Sequence, residues 1–178
     1  MTQRDDIRDQ VRARAQFACE YCGVQETDAG GLLTIDHFHP IGKGGNNDLS
    51  NLVYCCVRCN QYKRDYWPES PSDPLPWNPR QERASTHFVE LDDGRLEALT
   101  GKGAFSISLL HLNRPTLVAY RLGKRRSLEE AQWLERYRQL ATVLEQLVEQ
   151  QAQLIREQRG LLAEQRELLR RLFERLDM

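Results

Sequence analysis

The sequence predicts an α+β chain in three parts: a small cysteine-stapled ββα core, a short irregular and β-containing segment, and a long C-terminal coiled-coil helix. Three observations carry this prediction. Four of the five cysteines fall into two C-x-x-C pairs, Cys19/Cys22 and Cys56/Cys59. Between the pairs the pattern runs strand, polar loop, strand, and a short helix follows. Residues 127–178 carry leucine at a strict seven-residue spacing with no proline. The expected boundaries are 1–66 for the core, 67–126 for the accessory segment and 127–178 for the helix.

The core comes first. Each C-x-x-C pair makes a tight knuckle whose thiolates converge on one ion, and two such pairs supply a tetrahedral four-thiolate zinc site. The 33 residues between the pairs exceed the roughly 15–20 of a simple zinc ribbon, so a folded unit of its own must lie between them. Cys55 stands beside a ligand and reads as a small buried residue. Inside the gap, Leu32–Ile35 is a β-prone run leading to Asp36 and His37. Residues 42–48 form a Gly- and Asn-rich loop, Asn51–Cys55 returns as a second strand, and Val57–Asp65 suits a short helix.

The second part opens with a proline-rich stretch, 67–79, that excludes a continuous helix or a central strand. Two alternating runs, Thr86–Leu91 and Arg95–Leu99, flank Asp92-Asp93-Gly94 and predict a small hairpin. In the third part, Ser127 with Glu130 three residues on is a capping-box pattern. It predicts a helix start just after the basic Lys124-Arg125-Arg126.

Leu140, Leu147, Leu154, Leu161 and Leu168 form one stripe of that helix, and Val148, Ile155, Leu162, Leu169 and Leu176 a second. Leu144, Gln151, Gln158, Gln165 and Leu172 run between them. At about 1.5 Å per residue such a helix is roughly 75 Å long, more than a small domain covers. Self-association through 127–178 as a homo-oligomer, dimer or tetramer, is therefore expected. Glutamines that face one another across a symmetric assembly would satisfy their amides and fix register.

Composition sets limits on function. The chain has 178 residues, 40% hydrophobic and 29% charged, with a net charge of −1. No apolar run approaches the roughly 18 residues of a membrane helix. The charged first ten residues predict no secretory signal, so a cytoplasmic protein is expected. Bulk charge gives nucleic-acid binding no help: residues 1–64 carry eight Lys/Arg against eight Asp/Glu. Contacts to an anionic partner must come from local clusters, of which Arg121 with Lys124, Arg125 and Arg126 is the most basic.

Cys19-Glu-Tyr-Cys22, Asp36-His37, Pro40, Gly44-Gly45, Asn51-Leu52, Cys56-Val-Arg-Cys59-Asn60 and Lys63 together resemble the HNH endonuclease family, whose ββα-metal fold is often braced by two cysteine knuckles. The likeness is strong over about residues 8–66 and looser from 78 to 115, and residues 127–178 have no counterpart in it. The resemblance implies a metal-dependent endonuclease acting on DNA, in a setting such as restriction or phage defence. It places His37 as general base and Asn51 as the residue positioning it or its loop. Asp36 and Asn60 become hard oxygen ligands for Mg²⁺ or Mn²⁺, with structural zinc on the four cysteines. The last position of the name-giving motif is Asn60 here in place of histidine, which tilts the catalytic ion toward Mg²⁺.

Lys63, Arg64 and the 124–126 cluster are expected phosphate contacts. Low basic charge leaves room for an activating partner protein. Adjacent strand residues point to opposite faces, so Asp36 and His37 can share one ion only if the strand ends or bends there. The alternative from a different class is a non-catalytic zinc-braced adapter that binds nucleic acid or protein, with the coiled coil as scaffold.

Overall fold

The computed structural model describes residues 3–176, with side chains from residue 6 onward apart from those of residues 173, 175 and 176. The side chain of Leu176, expected to end the second stripe, lies outside the described residues. The chain divides into two compact units, Met1–Lys124 and Arg125–Met178.

The first unit holds both sheets. Helix α1, Gln3–Arg14, leads into the first cysteine knuckle, and a one-turn helix α2, Glu26–Ala29, follows it. Strands β1, Thr34–His37, and β2, Leu52–Cys55, pair antiparallel, with Asp36 opposite Val53 and His37 opposite Leu52. All four residues of β2 are buried, because α1 packs on this strand and helix α3, Val57–Lys63, packs on β1. An apolar core of Val11, Leu33, Phe38, Val53 and Tyr54 fills the space between these elements.

Tyr54 is also tied by polar groups. Its backbone N–H donates to Glu20 Oε2 at 2.7 Å, and its hydroxyl accepts the Leu33 N–H at 2.9 Å and donates to Glu26. Glu26 in turn takes both nitrogens of the Arg12 fork, at 2.6 and 2.7 Å. These bonds fasten α1, α2 and the knuckle to the sheet.

The proline-rich stretch forms no helix or strand. It packs Pro76, Trp77 and Asn78 into the interior, where Trp77 meets Phe88 edge-on at 5.3 Å. One-turn helix α4, Ala84–His87, then precedes the hairpin of β3, Phe88–Glu90, and β4, Leu96–Ala98. Helix α5, Gly101–Leu109, is N-capped by Thr100, whose hydroxyl accepts the Gly103 N–H at 3.0 Å.

Helix α6, Pro115–Leu176, corrects the expected helix start. Proline suits the first helical position because its missing N–H would have no intrahelical partner there. The first turns of α6 are held by packing that the capping pattern could not foresee. Leu117 is buried, and the Arg121 guanidinium donates to the carbonyls of Gly94 and Leu112 at 2.8 and 2.6 Å. Ser127 and Glu130 are therefore interior residues of a continuous helix, and Lys124–Arg126 lie within it. Arg121 is a buried structural pin and not the basic footing expected of it.

Considered alone, the second unit is one helix whose large apolar side chains are exposed. Its stripes begin earlier than the leucine repeat, with Trp133, Leu134 and Tyr137 also exposed. No helix among the described residues is long and apolar enough to cross a membrane.

Candidate functional site

The cysteine centre is assembled by two different local structures. In the first knuckle, the Cys19 N–H donates to the Val24 carbonyl at 2.8 Å, and the Gly23 N–H returns to the Cys19 carbonyl at 2.8 Å. The second knuckle opens α3, where the Cys56 sulfur takes the N-cap role and accepts the Cys59 N–H at 3.4 Å.

The four sulfurs of Cys19, Cys22, Cys56 and Cys59 lie within 4.8 Å of one another, and those of Cys22 and Cys56 are 3.7 Å apart. Around zinc, with Zn–S near 2.3 Å, tetrahedral thiolates stand roughly 3.8 Å apart, so this cluster fits that ion. Neighbouring thiols donating to the Cys56 sulfur drive it toward the thiolate, while burial pushes Cys19 up. Cys55 is fully buried, its thiol pushed up mainly by burial, and it stands outside the cluster. The Arg114 guanidinium approaches the sulfurs of Cys56 and Cys59, each at 4.0 Å, and lies over the Tyr62 ring at 5.6 Å.

The remaining candidates gather around the end of β1, and the pleat separates them. Strand β1 ends at His37. Asp36 points inward and is buried, where Lys63 Nζ stands 3.0 Å from its Oδ2 and 3.3 Å from its Oδ1. The buried Tyr21 hydroxyl donates to Oδ2 at 2.9 Å. Burial pushes the Asp36 carboxyl up, and the Lys63 charge and the hydrogen bonds from Lys63 and Tyr21 pull it back. Burial also raises the Tyr21 hydroxyl, which keeps it a donor.

Lys63 departs from the role expected of it. It is 1% exposed and also donates to the His37 carbonyl at 2.9 Å, so its ammonium is taken up inside the fold by Asp36 and backbone. A lysine this deep needs a counter-charge, and Asp36 provides it. Arg64, the next residue, is exposed at the end of α3 with φ at 52°.

His37 points the other way, toward the loop. Its Nε2 lies 2.9 Å from Asn47 Oδ1. An amide oxygen only accepts, so Nε2 is the donor in this bond.

Asn51 braces that loop three times. Its Oδ1 accepts the His39 N–H at 2.8 Å, while its Nδ2 donates to the carbonyls of His39 at 2.9 Å and Asn46 at 2.7 Å. Asn46 immediately precedes Asn47, so the clamp sets the residue that holds His37. Gly45 permits the close turn, since a Cβ there would sit 1.9 Å from the His39 carbonyl oxygen. His39 itself is structural: it stacks on Trp67 at 3.7 Å and its Nε2 meets the Lys43 carbonyl at 2.7 Å.

Asn60 is half-buried on α3, one turn before Lys63 and so on the helix face that meets β1. Among the described residues its side-chain amide has no hydrogen-bond partner. A carboxylate offers about four acceptor positions, and Lys63 and Tyr21 occupy three on Asp36. One on Oδ1 remains. A carboxylate oxygen and an amide oxygen are the donor types that suit a hard divalent cation such as Mg²⁺ or Mn²⁺.

Residues 19–75 match the model of a family described as HNH endonuclease. The likeness to that family thus covers 57 of the 178 residues. Comparison with curated proteins and with solved structures returns no match. The HNH segment contains both cysteine knuckles, β1, β2 and α3, and therefore Asp36, His37, Asn51 and Asn60. Arg114 and the helix beyond it lie outside.

Three participants escaped sequence reasoning. Asn47 was one of several polar loop residues, Tyr21 was hidden between two cysteines, and Arg114 lay in the loosely similar segment. A hydroxyl-bearing aromatic inside a knuckle was the one available signal, and it pointed to no particular partner.

Proposed function

We propose that the HNH segment hydrolyses DNA phosphodiester bonds, with His37 as general base and Asp36 and Asn60 as ligands of Mg²⁺ or Mn²⁺. The supporting observation is the state of His37: one ring nitrogen is fixed by Asn47 in a loop clamped by Asn51, and the other is left to accept a proton. That is what a general base needs: a ring nitrogen placed to take a proton while the other is held.

Water attacks phosphorus and gives its proton to Nδ1 of His37, and the bond from phosphorus to the 3′ oxygen breaks, that oxygen taking a proton from solvent. The products carry 5′-phosphate and 3′-hydroxyl ends. Asp36 and Asn60 would hold such a cation, which would supply positive charge against the charge that develops in the reaction. Lys63 and Tyr21 hold the Asp36 carboxylate from behind, so its remaining acceptor keeps one orientation. Zinc on the four cysteines braces the segment without entering the reaction.

In this reading residues 1–66 form the nuclease core, 67–126 an accessory region, and 127–178 a coiled coil that joins two or four copies. Arg64 and the cluster Lys124, Arg125 and Arg126 contact the DNA backbone, and the protein acts in the cytoplasm in restriction or phage defence. A modest basic surface implies help from avidity or from an activating partner.

One observation favours a second reading. The pairing of Asp36 with Lys63 and Tyr21 would also suit a zinc-braced adapter without turnover. Supercoiled plasmid incubated with the protein and Mg²⁺ or Mn²⁺ separates the two. A nuclease gives nicked or linear product that disappears with chelator and in His37→Ala. An adapter gives no product and keeps its binding in His37→Ala.

A further inference from the structure

The ion pairs of the second unit keep to one side of the helix. Among the described residues, Arg138–Glu135, Arg156–Glu149, Arg170–Glu167, Arg170–Glu174 and Arg171–Glu167 all lie off the three stripes. The stripes are therefore left to something outside the helix. Leu147, Leu154 and Leu161 form one flank and Val148, Ile155 and Leu162 the other, each between 49% and 65% exposed. Between the flanks run Gln151, Gln158 and Gln165, exposed as well.

We propose that this face takes the same helix of a second copy, parallel and with zero stagger, each of the three glutamines meeting its own counterpart. The proposal rests on the self-association reading above and specifies its geometry. A partner must offer a hydrogen-bonding group at every seventh residue, flanked by apolar side chains at the same spacing. The chain's own helix does so.

Orientation follows from the layers. In a parallel pair without stagger each layer holds the same residue from both strands, so amide meets amide three times and donor finds acceptor. In an antiparallel pair each layer joins a middle-stripe residue to a flanking one, which sets each glutamine against an apolar side chain. A buried amide left unpaired carries its desolvation penalty with nothing to offset it. Register follows from the ends of the middle stripe. Leu144 and Leu172 bracket the glutamines, so a slip of one heptad would put Leu144 against Gln151 and Gln165 against Leu172. Polar residues at such core positions are a known device for fixing register.

The consequence concerns the nuclease. Both chains enter the paired helices from the same, N-terminal end, so two HNH segments are tethered at one end of the coil. Such a tether raises the effective concentration of the second site once the first has bound a duplex.

The test uses the full-length protein with zinc present, light scattering for mass, and mild oxidation followed by non-reducing electrophoresis. Gln158→Cys is compared with Ala163→Cys, which lies on the opposite side of the helix, and with the parent, which controls for the native thiols. The expected result is a multimer in all three and a disulfide-linked two-chain species in Gln158→Cys alone. If Gln158→Cys no longer associates, Leu144→Cys carries the same test at the end of the middle stripe. A multimer that gives no cross-link at either position, or equal cross-linking at Ala163→Cys, overturns the parallel zero-stagger geometry and leaves self-association standing. A parent protein that is monomeric overturns self-association itself.

Discussion

In the variant Lys63→Met the Asp36 carboxylate keeps its place in the interior but loses its counter-charge. The pair is nearly closed to solvent, with side chains 1% and 7% exposed at a separation of 3.0 Å. Removing one member of so buried a pair typically costs about 3–5 kcal/mol, because the other charge stays behind uncompensated. The His37 carbonyl loses the same donor. For a unit the size of Met1–Lys124, each kcal/mol moves the melting temperature by roughly 3–5 °C, so a fall of roughly 10–25 °C is expected. Calorimetry with zinc present measures it.

The double variant Asp36→Asn with Lys63→Met should recover most of the loss. It restores charge neutrality and keeps an acceptor for Tyr21, giving a coupling energy of roughly 2–3 kcal/mol. A lysine reaching a phosphate from the surface behaves otherwise: its loss weakens DNA binding and spares stability. A cost below about 1 kcal/mol, the level of an exposed pair, or strictly additive effects of the two substitutions, would refute the burial argument.

Other perturbations reach other parts of the molecule. His37→Ala should lower cleavage by about 10²- to 10⁴-fold and leave the melting temperature nearly unchanged, because its hydrogen bond to Asn47 is exposed; a large loss of stability would instead make His37 structural. Gly45→Ala drives a methyl into the His39 carbonyl and should cost about 1–3 kcal/mol along with cleavage, whereas a stable and active variant would remove the loop from the account. Glu26, gripped by the Arg12 fork and the Tyr54 hydroxyl, has its carboxyl held down at about 2 from an ordinary 4.5. A depressed carboxyl contributes its stability above the ordinary value and loses it as pH falls toward the lowered one. Glu26→Gln should therefore flatten the acid limb of the melting profile between about pH 5 and pH 2, and an unchanged limb would contradict the pairing. Stripping zinc with a chelator should release one ion per chain and unfold the first unit, as Cys56→Ser should in part; a melting curve indifferent to chelation would show that the thiols hold no ion.

What the sequence made legible followed from spacing. Two C-x-x-C pairs announced convergent thiolates, and the structure brings those four sulfurs together. Strand, loop, strand and helix around Asp36-His37 were readable from alternation and glycine, and the family match over 19–75 covers the same segment. Lys63 was misread because its position on α3 gives no hint of depth. The lysine is buried only because Asp36, 27 residues earlier, turns inward to meet it. The helix start was misread because Ser127 and Glu130 satisfy a local rule that tertiary packing overrides. Leu117 and Arg121 anchor an earlier stretch, and Pro115 allows a start that no polar cap marks. Asn47 and Arg114 act through contacts across space, which periodicity does not encode.

Where metal binds separates hydrolysis from scaffolding, and anomalous scattering from crystals grown with Zn²⁺ and Mn²⁺ reads that. The expected result is a zinc signal among Cys19, Cys22, Cys56 and Cys59 and a separate manganese signal bounded by Asp36 and Asn60. Zinc at the cysteines with no manganese near Asp36, and Lys63 still closed on its carboxylate, would contradict the hydrolytic site and leave the braced adapter in its place.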